Sequence, residues 1–324
     1  MGATGLVGEV LLGALAARKF PLEALVPLAS ERSAGRRVAF RGEELEVRPA
    51  SAAALAGSHL VFFAATGELS RTLAPAAVAG GTIVVDKSAT WRLDPAVPLV
   101  IPEINGAALA RHQGILACPN CTTIAVAMAL EPLRRAAGLV RVIATTLQAV
   151  SGVGREGLEA LVRERGAGPG APALPSPFPR RIAGDLFPLC GTLGADGTSE
   201  EERKLAAETR KILDLPDLEL AATCVRVPIE VGHAATLVVE TRAPLAVAAA
   251  RAALAAFPGV RLAGEGELPT PSDAAGRDEV LVGRVRRTGN ERQLSLWVVA
   301  DNLRKGAATN AVQIAEALLG PGGG

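Results

Sequence analysis

Cys118-Pro119-Asn120-Cys121-Thr122-Thr123 opens a long apolar run to Leu133, so this stretch places a thiol where a helix is expected to begin. Backbone N–H groups in the first turn of a helix lack intrahelical partners and carry the positive end of the dipole. They favour thiolate over thiol and can receive a developing oxyanion, which makes a nucleophilic cysteine the sharper reading. A buried, inert thiol is the plainer one. Cys118 and Cys121 also form a C-x-x-C pair, but Cys190, Cys224, His59, His112 and His233 are scattered through the sequence. They do not complete a zinc ligand set, so no metal is expected.

A second set of residues points to phosphate. Gly2-Ala3-Thr4-Gly5-Leu6-Val7-Gly8 spaces glycines for a tight turn, close approach to a pyrophosphate and entry into a helix whose N-terminus faces the anion. The helical run through Ala17 leads to apolar Ala24–Ala29 and then to Ser30-Glu31-Arg32-Ser33. At that distance a dinucleotide fold reads the ribose, and Arg32 between Ser30 and Ser33 suits the 2′-phosphate of NADP. An ordinary exposed loop fits the same four residues.

The elements that must carry these groups follow from periodicity. His59–Ala64 and Thr82–Asp86 read as buried strands flanking a helix over 68–79, an alternation that builds a parallel, doubly wound sheet. The glycine turn is expected to follow a first, central strand, yet Met1 stands directly before it. The expectation is therefore a Rossmann-like sheet without its first strand, weak NADP binding and early melting. Beyond Cys121 the texture changes. Val140–Gln148, Leu218–Arg226, Ala235–Thr241, Glu279–Val285 and Gln293–Val299 read as strands of a mainly antiparallel sheet in an α+β domain. Gly166–Pro179 is a Pro/Gly-rich excursion. Gly306–Leu319 reads as an amphipathic helix closed by Gly320 before Pro321.

Composition narrows the class. The 324 residues are 49% hydrophobic and 21% charged, enough for two cores, and the net charge of +1 supplies no global field for nucleic acid or an anionic membrane. Four cysteines in a chain of this length do not make a disulfide scaffold. Val10–Ala17 follows Glu9 without a basic leader and reads as a helix, so a cytoplasmic location is expected.

Four motifs then occur in order: Pro119-Asn120-Cys121-Thr122-Thr123; Gln148-Ala149-Val150-Ser151-Gly152; Arg226-Val227-Pro228 with Gly232-His233; and Asp301-Asn302-Leu303-Arg304-Lys305-Gly306-Ala307-Ala308. Together they resemble aspartate-semialdehyde dehydrogenases, nearly end to end, with Asp86-Lys87-Ser88 and Pro98–Glu103 between them. The resemblance implies NADPH-dependent reduction of L-aspartyl-4-phosphate through a cysteine thioester, on the route to lysine, methionine and threonine. It implies Cys121 as nucleophile, His233 as the acid that protonates the thiohemiacetal oxyanion, and Gln148 as an orienting residue. Substrate groups fall to Arg226 for the carboxylate, Glu201 for the ammonium, Arg92 and Lys204 for phosphate, and Asn120. The cofactor falls to Thr4, Gly5, Leu6, Val7, Ser30, Arg32, Ser33, Ser151, Gly152 and Asn302. Glu200 and Glu202 adjoin Glu201 and leave its alignment open. A homodimer is also implied, with an NADP-binding domain at 1–120 and 304–324 and a catalytic and dimerisation domain at 121–303. Cys118 is an extra thiol that would trap Cys121 as a disulfide under oxidation. Gly184-Asp185 departs from an expected aromatic and asparagine. The alternatives are an N-acetyl-glutamyl-phosphate reductase, whose Gly-Cys-Tyr signature is absent from a chain with no tyrosine, and a non-catalytic relative.

Overall fold

A computed structural model describes residues 1–167 and 175–320. Part of the Gly166–Pro179 excursion and Pro321 lie outside the described residues. The chain divides into two compact units, Met1–Asn120 with Ala307–Gly324, and Cys121–Gly306.

In the first unit helix α1 (Leu6–Ala17) precedes β1 (Leu28–Ala29), a hairpin of β2 (Arg37–Phe40) and β3 (Glu43–Glu46), and β4 (Arg48–Pro49). A single turn α2 (Ala52–Leu55), strand β5 (Leu60–Phe63), helix α3 (Gly67–Ala79) and strand β6 (Ile83–Asp86) follow, then the turn α4 (Pro102–Asn105) and β7 (Ile115–Ala117). β5, β6 and β7 form one parallel sheet, and β1 pairs in parallel with β4 in another. Between them runs the backbone of Met1–Ala3: Met1 N donates to Phe62 O at 3.0 Å, Ala64 N to Met1 O at 3.1 Å and Ala3 N to Leu28 O at 3.0 Å. The hairpin was not expected from sequence. Its two-residue turn, Arg41-Gly42, has φ of 50° and 86°, the left-handed pair that a tight hairpin demands.

The second unit opens with α5 (Cys121–Ala137), in which every residue from Thr122 to Leu133 is buried. A helix apolar on all sides is a core helix, and α5 packs against the sheet that follows. That sheet comprises β8 (Leu139–Gln148), then, after α6 (Arg155–Ala167) and α7 (Glu200–Leu213), β9 (Glu219–Arg226) and β10 (His233–Thr241). Helix α8 (Val247–Ala255), β11 (Val260–Leu262), the turn α9 (Pro271–Ala274), β12 (Val280–Arg287) and β13 (Gln293–Ala300) complete it in the order β11-β12-β13-β10-β8-β9. Its three central pairings are antiparallel and its two outer ones parallel, so the sheet is mixed, with the expected antiparallel middle.

Helix α5 starts at Cys121, which sets a thiol at a helix start as the sequence reading expected. One boundary differs from that reading. The last helix, α10 (Thr309–Leu319), is preceded by a π-type turn at Arg304–Ala308 instead of beginning regularly at Gly306. No helix among the described residues is long and apolar enough to cross a membrane.

Candidate active site

Alternation along the strands gathers the site. On β8, Val142, Ala144, Thr146 and Gln148 are buried and lie two apart, so they share one face. Gln148 stands opposite Arg226 in the β8–β9 register, and Thr146 opposite Cys224. Across the other edge, Ala235 pairs with Thr146 and Ala234 with Leu147, which brings His233, the first residue of β10, beside the end of β8 on that same face. His233 pairs in turn with Ala300, so Asp301 and Asn302 leave the sheet at this end.

One residue, Ala149, ties the Arg226 and His233 side chains together. Arg226 Nη1 donates to Ala149 O at 2.6 Å, while Ala149 N donates to His233 Nδ1 at 3.1 Å. Since Nδ1 accepts, the neutral imidazole carries its proton on Nε2, which is buried and has no hydrogen-bond partner among the described residues. Burial, and then the nearby Arg226 guanidinium, pull the His233 pKa down to about 3. The ring is therefore a neutral donor waiting for an acceptor. Gly152 lies against both groups: a Cβ there would stand 2.8 Å from Arg226 Nη1 and 3.3 Å from His233 Nε2.

Helix α7 supplies the acids. Its capping box gives Glu202 a structural place: Ser199 Oγ accepts from Glu202 N, and Glu202 Oε2 accepts from Ser199 N at 2.7 Å. The other oxygen of Glu202 accepts from Cys224 N at 2.9 Å, so this residue fastens the helix to β9. Glu201 faces the site instead, accepting from Gln148 Nε2 at 3.3 Å. Lys204 forms a 2.5 Å ion pair with Glu200 one turn back.

Cys121, at the N-terminus of α5, is partly exposed. The loop after β13 is moulded onto it. Asp301 Oδ1 accepts from Leu303 N and Arg304 N, Asp301 Oδ2 from Gly276 N, and Asp301 O from Gly306 N. This turn lays Gly306 so close that a Cβ would meet Cys121 Cβ at 3.0 Å. Asp301 and Gly306 entered the sequence reading only as members of a motif, without a role; Asp301 holds the turn with its carboxylate and Gly306 gives Cys121 room. Cys190 was missed. Its thiol is driven up to about 12 by burial, and it feels Arg226, Glu201, Cys121 and Glu202, so it sits amid the same charges.

Three further residues of the sequence reading have partners of their own. Asn302 Nδ2 donates to Ser151 Oγ at 3.0 Å and its Oδ1 accepts from Gly232 N at 2.9 Å, so its amide spans the Ser151 loop and the approach to His233. Ser151 is likewise buried in that bridge. Cys118 is fully buried, its sulfur accepting from Asn310 Nδ2 at 3.3 Å.

The remaining expected residues belong to the first unit. Gly5 caps α1, and the N–H groups of Leu6 and Val7 lie in its first turn. A Cβ on Gly8 would stand 2.1 Å from Gly2 O, and one on Gly2 (φ +74°) would stand 2.2 Å from Ala64 O. Only glycine permits both approaches, and the cradle they form fits a dinucleotide pyrophosphate. Thr4 Oγ1 donates to Ser33 Oγ at 3.2 Å, joining the glycine turn to the Ser30–Ser33 turn, where Ser30 and Arg32 are exposed. Arg92 is buried, with Nη2 donating to Lys87 O at 2.7 Å. Its loop is pinned by Asp86, which accepts from the hydroxyls of Ser70 and Ser88. Asn120 is partly exposed and directly precedes Cys121.

Comparison with known proteins identifies the family. Residues 1–112 match the family described as semialdehyde dehydrogenase, NAD binding domain, and residues 130–305 match semialdehyde dehydrogenase, dimerisation domain. The chain is 42% identical to aspartate-semialdehyde dehydrogenase of Bacillus subtilis, over 98% of this chain and 96% of that one. It is also 42% identical to the Aquifex aeolicus enzyme, over 99% and 97%. The crystal structure of Vibrio cholerae aspartate semialdehyde dehydrogenase II complexed with ASA superposes with a TM-score of 0.95 at 41% identity, covering 99% of this chain and 97% of that one. The chain belongs to the aspartate-semialdehyde dehydrogenase family.

Proposed function

We infer that this chain reduces L-aspartyl-4-phosphate to L-aspartate 4-semialdehyde and phosphate, with NADPH as reductant and a thioester on Cys121 as intermediate. The supporting observation is the register that sets Gln148, Arg226 and His233 on one buried sheet face, in a unit whose core helix begins with Cys121.

The Cys121 thiolate attacks the acyl carbon, forming a C–S bond as the C–O bond to phosphate breaks, and the departing phosphate takes one proton from water. Arg92 and Lys204 hold the phosphate. Arg226, anchored by one arm to Ala149 O, offers the rest of its fork to the α-carboxylate, a planar match that lysine lacks. Glu201 takes the ammonium, with Gln148 fixing its carboxylate. NADPH, when bound, supplies hydride to the thioester carbon. Thr4, Gly5, Leu6 and Val7 would hold its pyrophosphate, and Ser30, Arg32 and Ser33 its 2′-phosphate.

His233 works as a hydrogen-bond donor. Its Nε2–H steadies the oxygen that becomes the thiohemiacetal anion, and collapse of that anion to aldehyde expels the thiolate without needing a proton. Ala149 N–H, held by Nδ1, keeps that proton on Nε2. Gly152 leaves room beside that donor, while Ser151 and Asn302 keep the loop in place. Like its relatives' named dimerisation domain, the second unit serves a homodimer, and the enzyme acts in the cytoplasm.

The test is phosphate-dependent reduction of NADP⁺ with aspartate semialdehyde. The chain should turn over and Cys121→Ala should not. Turnover undiminished in Cys121→Ala would exclude the mechanism.

A further inference from the structure

Two hydrogen bonds meet at one nitrogen of the site. Gln148 Nε2 donates to Thr146 Oγ1 and to Glu201 Oε1, each at 3.3 Å. An ionised carboxylate can only accept, so Glu201 fixes which end of the Gln148 amide is the nitrogen. Thr146 Oγ1 takes the second hydrogen. Both donors of the amide are then spent on protein, and Oε1 is the polar atom of this side chain left for a ligand.

The strand places Thr146 for this task. It lies two residues before Gln148 on β8, on the same face, and is fully buried. Its register partners are Ala235 of β10, which ends in a methyl group, and Cys224 of β9, whose thiol burial drives up to about 12. A protonated thiol is a weak hydrogen-bonding group, and a residue with no exposed surface draws no partner from bulk solvent. Neither replaces the hydroxyl. Without it the second Nε2 hydrogen becomes a buried donor lacking an acceptor, a state costly enough to turn the amide.

That turn matters for charge. The substrate's ammonium, which the functional reading gives to Glu201, needs acceptors around it, and this pair supplies two: the Glu201 carboxylate and Gln148 Oε1. A rotated amide would present N–H groups to a cation and release its hold on Glu201.

We propose that Thr146 is a positioning residue that, by holding the Gln148 amide against Glu201, makes the site select an aldehyde with a free α-ammonium over one in which the amine is absent. The inference rests on the substrate reading above and adds the buried group that sets amine selectivity.

The experiment measures kcat/KM for phosphate-dependent NADP⁺ reduction with aspartate semialdehyde and with its des-amino analogue, succinate semialdehyde. The wild-type chain should prefer the amine by at least about tenfold, the worth of a charge-assisted hydrogen bond. Thr146→Val keeps the shape of the side chain and removes the acceptor. Its kcat/KM should fall about tenfold with aspartate semialdehyde and stay within about twofold with succinate semialdehyde. Thr146→Ala, which loses the hydroxyl without gaining a methyl, should shrink the preference in the same way, and Thr146→Ser should restore most of it. A purely structural role would lower both aldehydes together. Equal losses with the two aldehydes, an unchanged preference in Val and Ala, or no recovery in Ser would overturn the proposal and leave the reaction standing. A wild-type chain that turns over both aldehydes alike would do the same. Absence of turnover with aspartate semialdehyde in the wild-type chain would overturn the reaction itself, and this inference with it.

Discussion

Gly152→Ala isolates the geometry of the site from its chemistry, because it removes no functional group. Gly152 does not have a positive φ, so alanine is permitted by the backbone, and the whole effect falls on the neighbours. The new Cβ would stand 2.8 Å from Arg226 Nη1, about 0.6 Å short of ordinary contact. It would stand 3.3 Å from His233 Nε2 and 3.4 Å from Cε1, which asks the ring for a few tenths of an ångström more. Arg226 cannot yield freely, since its Nη1 is held at 2.6 Å by Ala149 O, and Ala149 N holds His233. Both side chains therefore shift together. Displacements of this size at reacting centres cost about 10- to 100-fold, or roughly 1.4 to 2.7 kcal/mol of transition-state stabilisation. Steady-state kinetics of phosphate-dependent NADP⁺ reduction should show that loss in kcat/KM, while the thermal midpoint moves by only a few degrees. Gly13→Ala, where a Cβ meets nothing within 4 Å, is the matched control and should be kinetically silent. If Gly152→Ala retains kcat/KM within about twofold, the packing of Arg226 and His233 against this loop does not position them for the reaction.

Arg226→Lys keeps the charge but not the fork, and should raise KM for aspartate semialdehyde and cut kcat/KM by about 10- to 100-fold, consistent with losing one charge-assisted hydrogen bond of about 1.5 to 3 kcal/mol. His233 is neutral in the folded chain, with a pKa near 3 against 6.5 in a free imidazole, so the unfolded chain binds the extra proton. The stability it contributes is complete above pH 6.5 and is lost as pH falls toward 3, by about 2 kcal/mol between pH 7 and pH 5. Denaturant titrations of wild type and His233→Gln at the two pH values should differ by that increment, and an identical pH dependence would contradict a neutral buried ring. Glu202→Gln should destabilise by about 1 to 3 kcal/mol, because it weakens two bonds that fasten α7 to Ser199 and β9. Its kcat should fall less than that of Glu201→Gln, which touches the site through Gln148.

Much of this was legible in the chain. Runs rich in apolar and β-branched residues announced β8, β9, β10, β12 and β13 within a residue or two at most ends, because these strands line the core. The motif positions Gln148, Arg226 and His233 converge because strand register carries sequence spacing into space. What could not be read was the work of the backbone. Ala149, which links Arg226 to His233 through its own C=O and N–H, leaves no residue-type signature. Another signal was present and passed over: Ser199-x-x-Glu202 is a capping box that separates Glu202 from Glu201. The β2–β3 hairpin escaped because Arg37, Glu43, Glu44 and Glu46 are exposed, so its apolar alternation is faint.

The central claim is that Cys121 carries the acyl group, and trapping that thioester tests it most directly. The protein would be mixed with aspartate semialdehyde and NADP⁺ without phosphate, quenched in acid, digested and weighed. An aspartyl adduct should appear on the peptide containing Cys121 and vanish in Cys121→Ala. It should be absent from Cys190 and Cys224, whose thiols burial drives up to about 12. An adduct on either of those cysteines, or turnover with Cys121 unlabelled, would contradict the account.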